Sequence, residues 1–297
     1  MSSQKSKYWI LVIVLVTLIS CEKEVKNGIM PEFKQKLVIS SFISPQDTVS
    51  YVNVDSNRRI YGELNIKETL GNLTAYLSDG TKEIPLINIS SGFIFRPGDM
   101  SIEEGKTYNL KVKSDKGLAA ESSCKVPLNR TLEIKVDTFS VAATYPDRYT
   151  GTNLMASISI KDYPGEDNYY RLYIEQEIYR TYMGQSWNSS HKFTGLKNEF
   201  FTDKGSDGKN IEIASIGISS IRTIVNFNSI IQTIDSSFLK VFILNTNKEY
   251  YDYHESIKKY SGGDDPFTEV SPVYTNISGG LGIFAAYTVD SLILRLK

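Results

Sequence analysis

The sequence predicts a mainly β protein, and three observations support this prediction. Tyrosine and phenylalanine are abundant, with 19 and 13 copies among 297 residues, and together with Val, Ile and Thr they favour half-buried strands. Apolar and polar residues alternate in many short segments that end at Gly, Asn, Asp or Ser, which is typical of antiparallel sheets. One segment near the C-terminus has helical spacing instead. We therefore expect mainly antiparallel sheets with one docked helix.

Residues 1–20 have the layout of a bacterial lipoprotein signal. Two lysines precede the apolar stretch Trp9–Ile19, which is too short to span a bilayer core of about 30 Å because that needs about 20 residues. The stretch ends in Leu18-Ile19-Ser20-Cys21, which resembles the lipobox read by lipoprotein signal peptidase. The resemblance implies cleavage before Cys21 and acylation of Cys21, and several acyl chains anchor a protein stably. An uncleaved membrane helix with a chance cysteine is the alternative.

Residues 21–35 read as a charged tether. They begin with Glu22-Lys23-Glu24 directly after the cysteine, a composition that favours a solvated segment. Acidic residues and lysine at this point resemble the surface-export signal of Bacteroidota lipoproteins. We therefore expect a lipid-anchored protein of the outer membrane, displayed on the cell surface, with the periplasmic face as the other option.

Composition and cysteine count exclude several classes of protein. The formal net charge is −1, so the chain has no basic excess to neutralise phosphates, which disfavours nucleic-acid binding. With Cys21 acylated, Cys124 is the one remaining cysteine, which excludes a disulfide scaffold. Cys124 falls on the alternating pattern Leu118–Val126, which favours a buried, inert thiol over a nucleophile.

Residues 36–127 predict a first domain, a β-sandwich. Leu37–Ile43 and Leu73–Leu77 have strand patterns, and Asp79-Gly80 is a hairpin-type turn. The segment Glu104–Val112 alternates around Tyr108 and resembles the strand entry of transthyretin-like and immunoglobulin-like domains. Short strands at this spacing indicate an immunoglobulin-like or transthyretin-like sandwich.

Residues 131–297 predict a second, larger antiparallel β domain, for which a curled or barrel-like sheet is one option. Tyr169–Tyr182 is its clearest strand, because one face is apolar and the other largely polar. A helix is expected near residues 247–260, where Thr246-Asn247-Lys248-Glu249 has capping-box spacing. Tyrosines then recur at helical spacing, which predicts a helix packed on a sheet, and Gly262-Gly263 ends it.

Two weak motifs are better explained by backbone structure than by ligand binding. Gly279-Gly280-Leu281-Gly282 lacks the Lys-Ser/Thr and the strand-to-helix context of a phosphate loop. We interpret it as a bulge or a close backbone approach between strands. Asp203–Gly208 only partly matches an acidic calcium loop, because Gly205 and Ala214 occupy ligand positions. We expect a polar hairpin turn there and no metal site.

The sequence shows no catalytic constellation. His191 and His254 are far apart, and neither has a second ligand at metal-binding spacing. Glu175 and Glu177 share one strand face, but nothing indicates the cleft that a glycosidase pair needs. The Gly-x-Ser-x-Gly elbow of hydrolases is absent. We therefore predict a non-enzymatic protein without a cofactor.

Tyr179, Tyr182 and Trp187 are the candidate residues for binding a ligand or partner. Trp187 is the one tryptophan outside the N-terminal signal, and it lies in the polar segment Met183–Ser190, which we interpret as a loop. An exposed aromatic side chain costs solubility unless it binds something or folds back. The sequence leaves open a sugar platform or partner hot spot and a side chain that folds back on the strand.

The C-terminal part of the sequence resembles a known family. Five motifs occur in order, namely Leu244-Asn245-Thr246, Glu249-Tyr250-Tyr251, Asp265–Glu269, Pro272–Ile277 and Gly279–Phe284. The set is similar to the C-terminal signature of a Bacteroidota lipoprotein family called domain of unknown function 4249 (DUF4249). The N-terminal block, from the lipobox to the strand that follows the tether, agrees with it.

The resemblance implies a function but supplies no catalytic residues. Proteins of this kind commonly look like companions of TonB-dependent outer-membrane transporters. The resemblance therefore implies an accessory or cargo-binding partner of such a transporter, with a small molecule or glycan cargo that the sequence does not identify. A surface adhesin or structural module that binds glycan or protein is the alternative.

Overall fold

The mainly β prediction is confirmed. A computed structural model describes residues 33–58, 69–130, 132–144, 150–219, 223–226, 229–261 and 272–296. Within these residues the chain forms one helix, α1 (Lys248–Ser261), and seventeen strands. The strands are β1 (Leu37–Ile43), β2 (Ser50–Ser56), β3 (Leu73–Ser78), β4 (Glu83–Pro85), β5 (Ile87–Ile89), β6 (Gly92–Phe95), β7 (Thr107–Ser114), β8 (Ala119–Lys125), β9 (Glu133–Thr144), β10 (Thr150–Lys161), β11 (Tyr169–Tyr182), β12 (Gln185–Phe193), β13 (Phe200–Thr202), β14 (Asn210–Ile218), β15 (Thr223–Asn226), β16 (Ser229–Thr246) and β17 (Leu281–Leu296).

The strands form three sheets within residues 35–297, which make one compact unit. The largest has ten strands in the order β12-β11-β16-β17-β1-β2-β6-β5, with β13 beside β11 and β15 beside β16. A four-stranded sheet has the order β4-β3-β7-β8, and a three-stranded sheet has the order β14-β10-β9. No pairing among the described strands closes a sheet on itself, so the barrel-like option for the second domain is wrong.

The N-terminal half is a β-sandwich, as predicted. The four-stranded sheet shares one hydrophobic core with β1, β2 and β6 of the ten-stranded sheet. Leu37 and Phe93 come from the large sheet, and Leu77 and Tyr108 come from the small one, all 0–2% exposed. Cys124 lies in this core as a buried free thiol, and burial raises the pKa of its thiol well above the usual value. The prediction of a buried Cys124 is confirmed, and the raised pKa keeps the thiol protonated and unreactive.

One parallel strand pair joins the two halves of the chain. β1 runs parallel to β17, with Val38 opposite Leu281. The glycine-rich segment leads into β17, and a Cβ on Gly282 would lie 1.9 Å from the carbonyl oxygen of Ile39. Gly282 also has φ +106°, a conformation that glycine adopts at low cost. The predicted close backbone approach is confirmed, but this pair departs from the antiparallel pattern expected from the sequence.

The C-terminal half forms a second sandwich with its own core. Apolar side chains of β10 and β14 pack against those of β11 and β16. β17 serves both cores, because Phe284 lies in the N-terminal core and Leu296 in the C-terminal one. The predicted boundary between residues 127 and 131 falls between the two cores. β17 completes both cores. The division of the chain into two separate domains therefore stays a prediction.

The predicted helix is confirmed and covers the other face of the ten-stranded sheet. Tyr250 of α1 is 3% exposed and packs against Ile283 and Ala285 of β17. The backbone N–H of Tyr250 donates to Asn247 Oδ1 at 3.2 Å, so Asn247 caps the helix. The capping-box spacing places the cap one residue earlier, at Thr246. That residue instead ends β16 and donates its hydroxyl to a backbone carbonyl.

Several predictions lie outside the described residues. These are the signal 1–20, most of the tether, the acylated Cys21 and the helix stop at Gly262-Gly263. In the part of the chain that the structure describes, no helix has the length and apolar character needed to cross a membrane.

Candidate functional site

The segment around Trp187 is a strand, not the loop expected from its polar sequence. β11 and β12 form a hairpin in which Tyr182 pairs with Gln185. The two-residue turn between them is Met183-Gly184, with φ +49° and +77°. Two positive φ values match the primed turns that fit the twist of a hairpin. Met183 is 70% exposed at the tip. It is not among the residues predicted to bind a partner, although a residue-glycine pair after a long strand is a hairpin signal.

The hairpin does not place the three candidate aromatic residues on one surface. Trp187 lies opposite Arg180, and Tyr179 lies opposite Asn188. Because side chains alternate along a strand, Tyr182 and Trp187 share the face of β11 that continues the core. Tyr179 lies on the other face, where its ring meets Phe238 edge-on at 6.1 Å.

Trp187 does not fold back far enough to become buried. The Arg180 guanidinium lies 5.5 Å from the centre of the indole ring, a cation–π distance. Trp187 nevertheless stays 56% exposed, and Tyr182 is 44% exposed. The sequence left two options open, a side chain that folds back on the strand and one that is exposed for binding. The structure shows features of both, because the indole contacts the neighbouring strand and keeps a free surface.

The C-terminal sandwich carries further exposed apolar side chains on β9. Loop 162–168 joins β10 to β11 at one end of the sandwich, so the start of β10 and the end of β11 lie at the opposite end. β9 pairs with β10 and exposes Phe139, opposite Met155, and Val141, opposite Asn153. We call the hairpin surface formed by Tyr182, Met183 and Trp187 the aromatic end.

The chemistry of the aromatic end is that of a contact surface. Exposed apolar side chains in a group mark sites of protein, ligand or membrane interaction. Tyr and Trp are enriched among residues that dominate binding energy, because they bury a large area at low entropic cost. Arg180 adds a cation, whose guanidinium donates to Ser189 Oγ at 2.8 Å. The surface can therefore hold an apolar or aromatic partner while offering a few polar anchors.

Three carboxylates meet at the opposite end of the C-terminal sandwich. Asp162, Asp203 and Asp207 each offer an oxygen within 4.8 Å of the others. Asp203 and Asp207 lie in the turn that the sequence predicts, where Ser206 donates its backbone N–H to the Asp203 carbonyl oxygen at 2.6 Å. The prediction of a hairpin is wrong, because β13 pairs with β11 and β14 pairs with β10. Asp162 is distant in sequence, and no local pattern could have joined it to this turn.

The carboxylate oxygens already accept hydrogen bonds from the loops around them. Tyr170 donates its hydroxyl to Asp162 at 2.6 Å, and Asn168 donates its backbone N–H to Asp203 at 3.1 Å. The backbone N–H of Gly165 donates to Asp207 at 2.8 Å. Burial raises the pKa of Asp203, which disfavours the charged form. These bonds brace loop 162–168 against the turn, and this bracing explains the cluster.

A second polar group lies between α1 and the ten-stranded sheet. Arg171 pairs with Glu199 at 2.8 Å and donates to the Tyr250 hydroxyl at 2.8 Å. The ring of His254 stacks between Phe42 and Phe200, with ring centres 5.4 and 5.0 Å away. Burial lowers the pKa of His254 to about 4, and the nearby Arg171 charge adds to the shift. His254 is therefore packed and neutral.

The paired glutamates of β11 are surface charges with neighbours on adjacent strands. Glu177 forms an ion pair with Lys240 of β16 at 2.5 Å, and Glu175 accepts a hydrogen bond from the hydroxyl of Ser190. Both lie on the sheet face that β12 and β16 extend, which agrees with the predicted shared face.

The comparisons with known proteins identify a family. The family described as Domain of unknown function (DUF4249) matches residues 22–293. No curated protein matches the chain. One solved structure, titled "Cytokine receptor complex - Crystal form 1A", is similar over 86% of this chain and 94% of its own, with 9% identity and a TM-score of 0.21. A TM-score this low carries no argument about fold or function.

The chain belongs to the DUF4249 family. The match covers nearly the whole chain after Cys21, so the resemblance predicted from the ordered C-terminal motifs is confirmed. The Bacteroidota origin, the lipid anchor and the association with a transporter, which the resemblance implies, stay predictions.

Proposed function

We propose that this protein is a non-enzymatic, lipid-anchored accessory of a TonB-dependent outer-membrane transporter. In this proposal Cys21 carries the acyl chains, and the aromatic end of the C-terminal sandwich contacts the transporter or its cargo. The proposal combines the lipobox at residues 18–21 with the exposed aromatic surface.

The group of exposed apolar side chains at one end of the molecule is the observation that carries the proposal. Tyr182, Met183 and Trp187 are 44, 70 and 56% exposed on one hairpin. When a partner covers a hairpin tip with a thioether and two aromatic rings, apolar area leaves water, and this burial stabilises the complex. A chain tethered at Cys21 holds such a surface at high effective concentration near partners of the same membrane.

Co-purification tests this proposal directly. The tagged full-length protein is extracted from its own cells in mild detergent, and its partners are identified by mass spectrometry. We expect a TonB-dependent barrel in near-stoichiometric amount. The double variant Tyr182→Ser/Met183→Ser is expected to lose most of the barrel, by roughly tenfold or more, since hot-spot residues contribute about 2 kcal/mol or more each.

Tyr51→Ser is the matched control, because Tyr51 is 53% exposed on β2 in the N-terminal half. This variant should retain the barrel. Retention by the double variant as well would remove the aromatic end as the contact surface. Absence of any barrel from the wild-type preparation would contradict the transporter proposal. Binding of the same protein to a glycan array would then favour the adhesin alternative.

A further inference from the structure

β12 is an edge strand with unusual exposure. It is the last strand of the ten-stranded sheet, and its residues 185–192 are all exposed. Its ladder with β11 runs without a register shift from Gln185 to Phe193. No described strand pairs with its other side. The backbone N–H and C=O groups on that side can therefore accept a further strand.

Natural sheets protect such edges, and four other edge strands of the described sheets show protective features. β4 and β5 have three residues each, and β4 contains Pro85, which cannot donate to a ladder. β14 contains a register shift in its pairing with β10. Three of the first five residues of β9 are charged, namely Glu133, Lys135 and Asp137. β12 contains one charged residue, Lys192, and no proline. Its edge therefore lacks the protective features of those other edge strands.

We infer that β12 pairs with β12 of a second copy of this chain. The two strands run antiparallel around a twofold axis that passes Ser189, so that all nine residues of β12 find a partner. Antiparallel pairing by a twofold axis gives an isologous contact, which closes after two copies. This inference goes beyond the proposed function and does not depend on it.

The side chains of β12 complement a second copy in this register. Trp187, His191 and Phe193 share one face of the strand, and the rings of His191 and Phe193 already meet edge-on at 4.8 Å. The twofold axis places Trp187 opposite His191 of the second copy and diagonal to Phe193 of the second copy. The exposed indole then packs on a preformed aromatic pair, twice in the dimer, and aromatic cross-strand pairs stabilise sheets.

Charge and polarity agree with the same register. Lys192 lies opposite Ser186 of the second copy, so no like charges face each other. Asn188 lies opposite Ser190 of the second copy, and such polar pairs can exchange hydrogen bonds. The strand that pairs with this edge is therefore β12 of a second copy, because its sequence supplies aromatic and hydroxyl groups that match those of the edge.

Disulfide trapping tests both the pairing and its register. At the twofold axis Ser189 faces its own copy, and opposed residues of an antiparallel pair have Cα atoms about 4.5–5.5 Å apart, within disulfide range. The lipidated full-length variant Ser189→Cys, in mild detergent with a mild oxidant, should form a covalent dimer on non-reducing gels. Cys124 is buried and should not react.

Ser186→Cys is the matched control, since it is an exposed serine on the same strand. The register puts two copies of residue 186 about 20 Å apart, because six residues at about 3.4 Å separate them along the strand. Ser189→Cys should therefore cross-link at least about tenfold faster, because pairing raises the effective thiol concentration. The double variant Ser186→Cys/Lys192→Cys should cross-link as fast as Ser189→Cys.

The rates decide the inference in either direction. Fast cross-linking of Ser189→Cys and of the double variant, with slow cross-linking of Ser186→Cys, supports the twofold β12 pair. Equal, slow rates for all three variants would overturn it, as would cross-linking of Ser186→Cys at the rate of Ser189→Cys. Neither result bears on the recovery of a transporter barrel, so the two proposals fail separately.

Discussion

Asn276 holds Phe284 through two hydrogen bonds that replace a strand pairing. The Asn276 side chain donates to the carbonyl oxygen of Phe284 at 2.7 Å and accepts from its backbone N–H at 3.0 Å. Phe284 is 0% exposed and belongs to the N-terminal core. One carboxamide therefore fixes β17 at the point where this strand completes a core formed by residues far away in sequence.

We predict that Asn276→Asp destabilises the fold. The carboxylate can still accept from the Phe284 N–H but cannot donate to its carbonyl oxygen, so a buried acceptor loses its partner at a cost of about 1–3 kcal/mol. Chemical denaturation of the two proteins measures the difference. Asn88→Asp, at an exposed position on β5, is the control and should leave the midpoint nearly unchanged. An equal midpoint for Asn276→Asp and wild type would contradict the role of Asn276.

A second prediction concerns the close approach at Gly282. Gly282→Ala should cost at least about 2 kcal/mol, because its methyl group meets the backbone of Ile39 and the residue has positive φ. Gly117→Ala separates the two causes. Gly117 has φ +82° with nothing near its added Cβ, so that variant should lose only about 1–2 kcal/mol from backbone strain. If thermal unfolding shows that Gly282→Ala and Gly117→Ala lose equal stability, the steric contact at Gly282 is disproved.

A third prediction follows from the lowered pKa of His254. The folded-state pKa is about 4 and the ordinary value is about 6.5, so between these pH values the unfolded chain binds one more proton than the folded chain. The contribution of the neutral His254 ring to the free energy of unfolding is therefore complete above pH 6.5 and is lost as the pH falls towards 4. His254→Phe keeps an aromatic ring and should reduce this pH dependence.

The difference between the two stability curves is the quantity to measure. Burial raises the pKa of Asp47, Asp203 and Asp290, and these groups change stability in the opposite direction at low pH. They are present in both proteins and cancel in the comparison. Wild-type and His254→Phe curves that stay parallel between pH 4 and 6.5 would show that His254 is not buried in its neutral form.

A fourth prediction uses the intrinsic fluorescence of Trp187. Once the signal is removed, this is the one tryptophan in the chain, and it is 56% exposed. The processed protein at high dilution should therefore show red-shifted emission that iodide quenches efficiently, helped by the cationic Arg180 beside the ring. Blue-shifted emission that resists iodide would mean that the indole folds back and is covered.

Local patterns in the sequence were sufficient for most individual elements. Leu37–Ile43 and Tyr169–Tyr182 are strands with the predicted bounds, because alternation of apolar and polar residues reports which face is buried. Helical spacing of the tyrosines predicts the helix instead, and the Asp79-Gly80 pair predicts a turn. The glycine-rich segment 279–282 was correctly interpreted as a close backbone approach, because a missing Cβ is itself a packing signal.

Long-range relationships could not be predicted in the same way. Periodicity shows that β1 and β17 are strands but not that they pair in parallel, because pairing depends on contacts between distant residues. Asp162 joins Asp203 and Asp207 only after the sheets pack. The polar sequence of β12 predicts a loop, because its serines and asparagine hide the strand that pairs with β11. The aromatic end likewise exists only once β11 and β12 pair as a hairpin.

The anchor at Cys21 is the claim on which the proposed function depends most. Intact mass spectrometry of the protein purified from its own cells tests it in one measurement. We expect a chain that begins at Cys21 and carries the mass of a diacylglyceryl group and an amide-linked acyl chain. A chain that begins at Met1, or a mature chain whose Cys21 thiol is unmodified, would contradict the account.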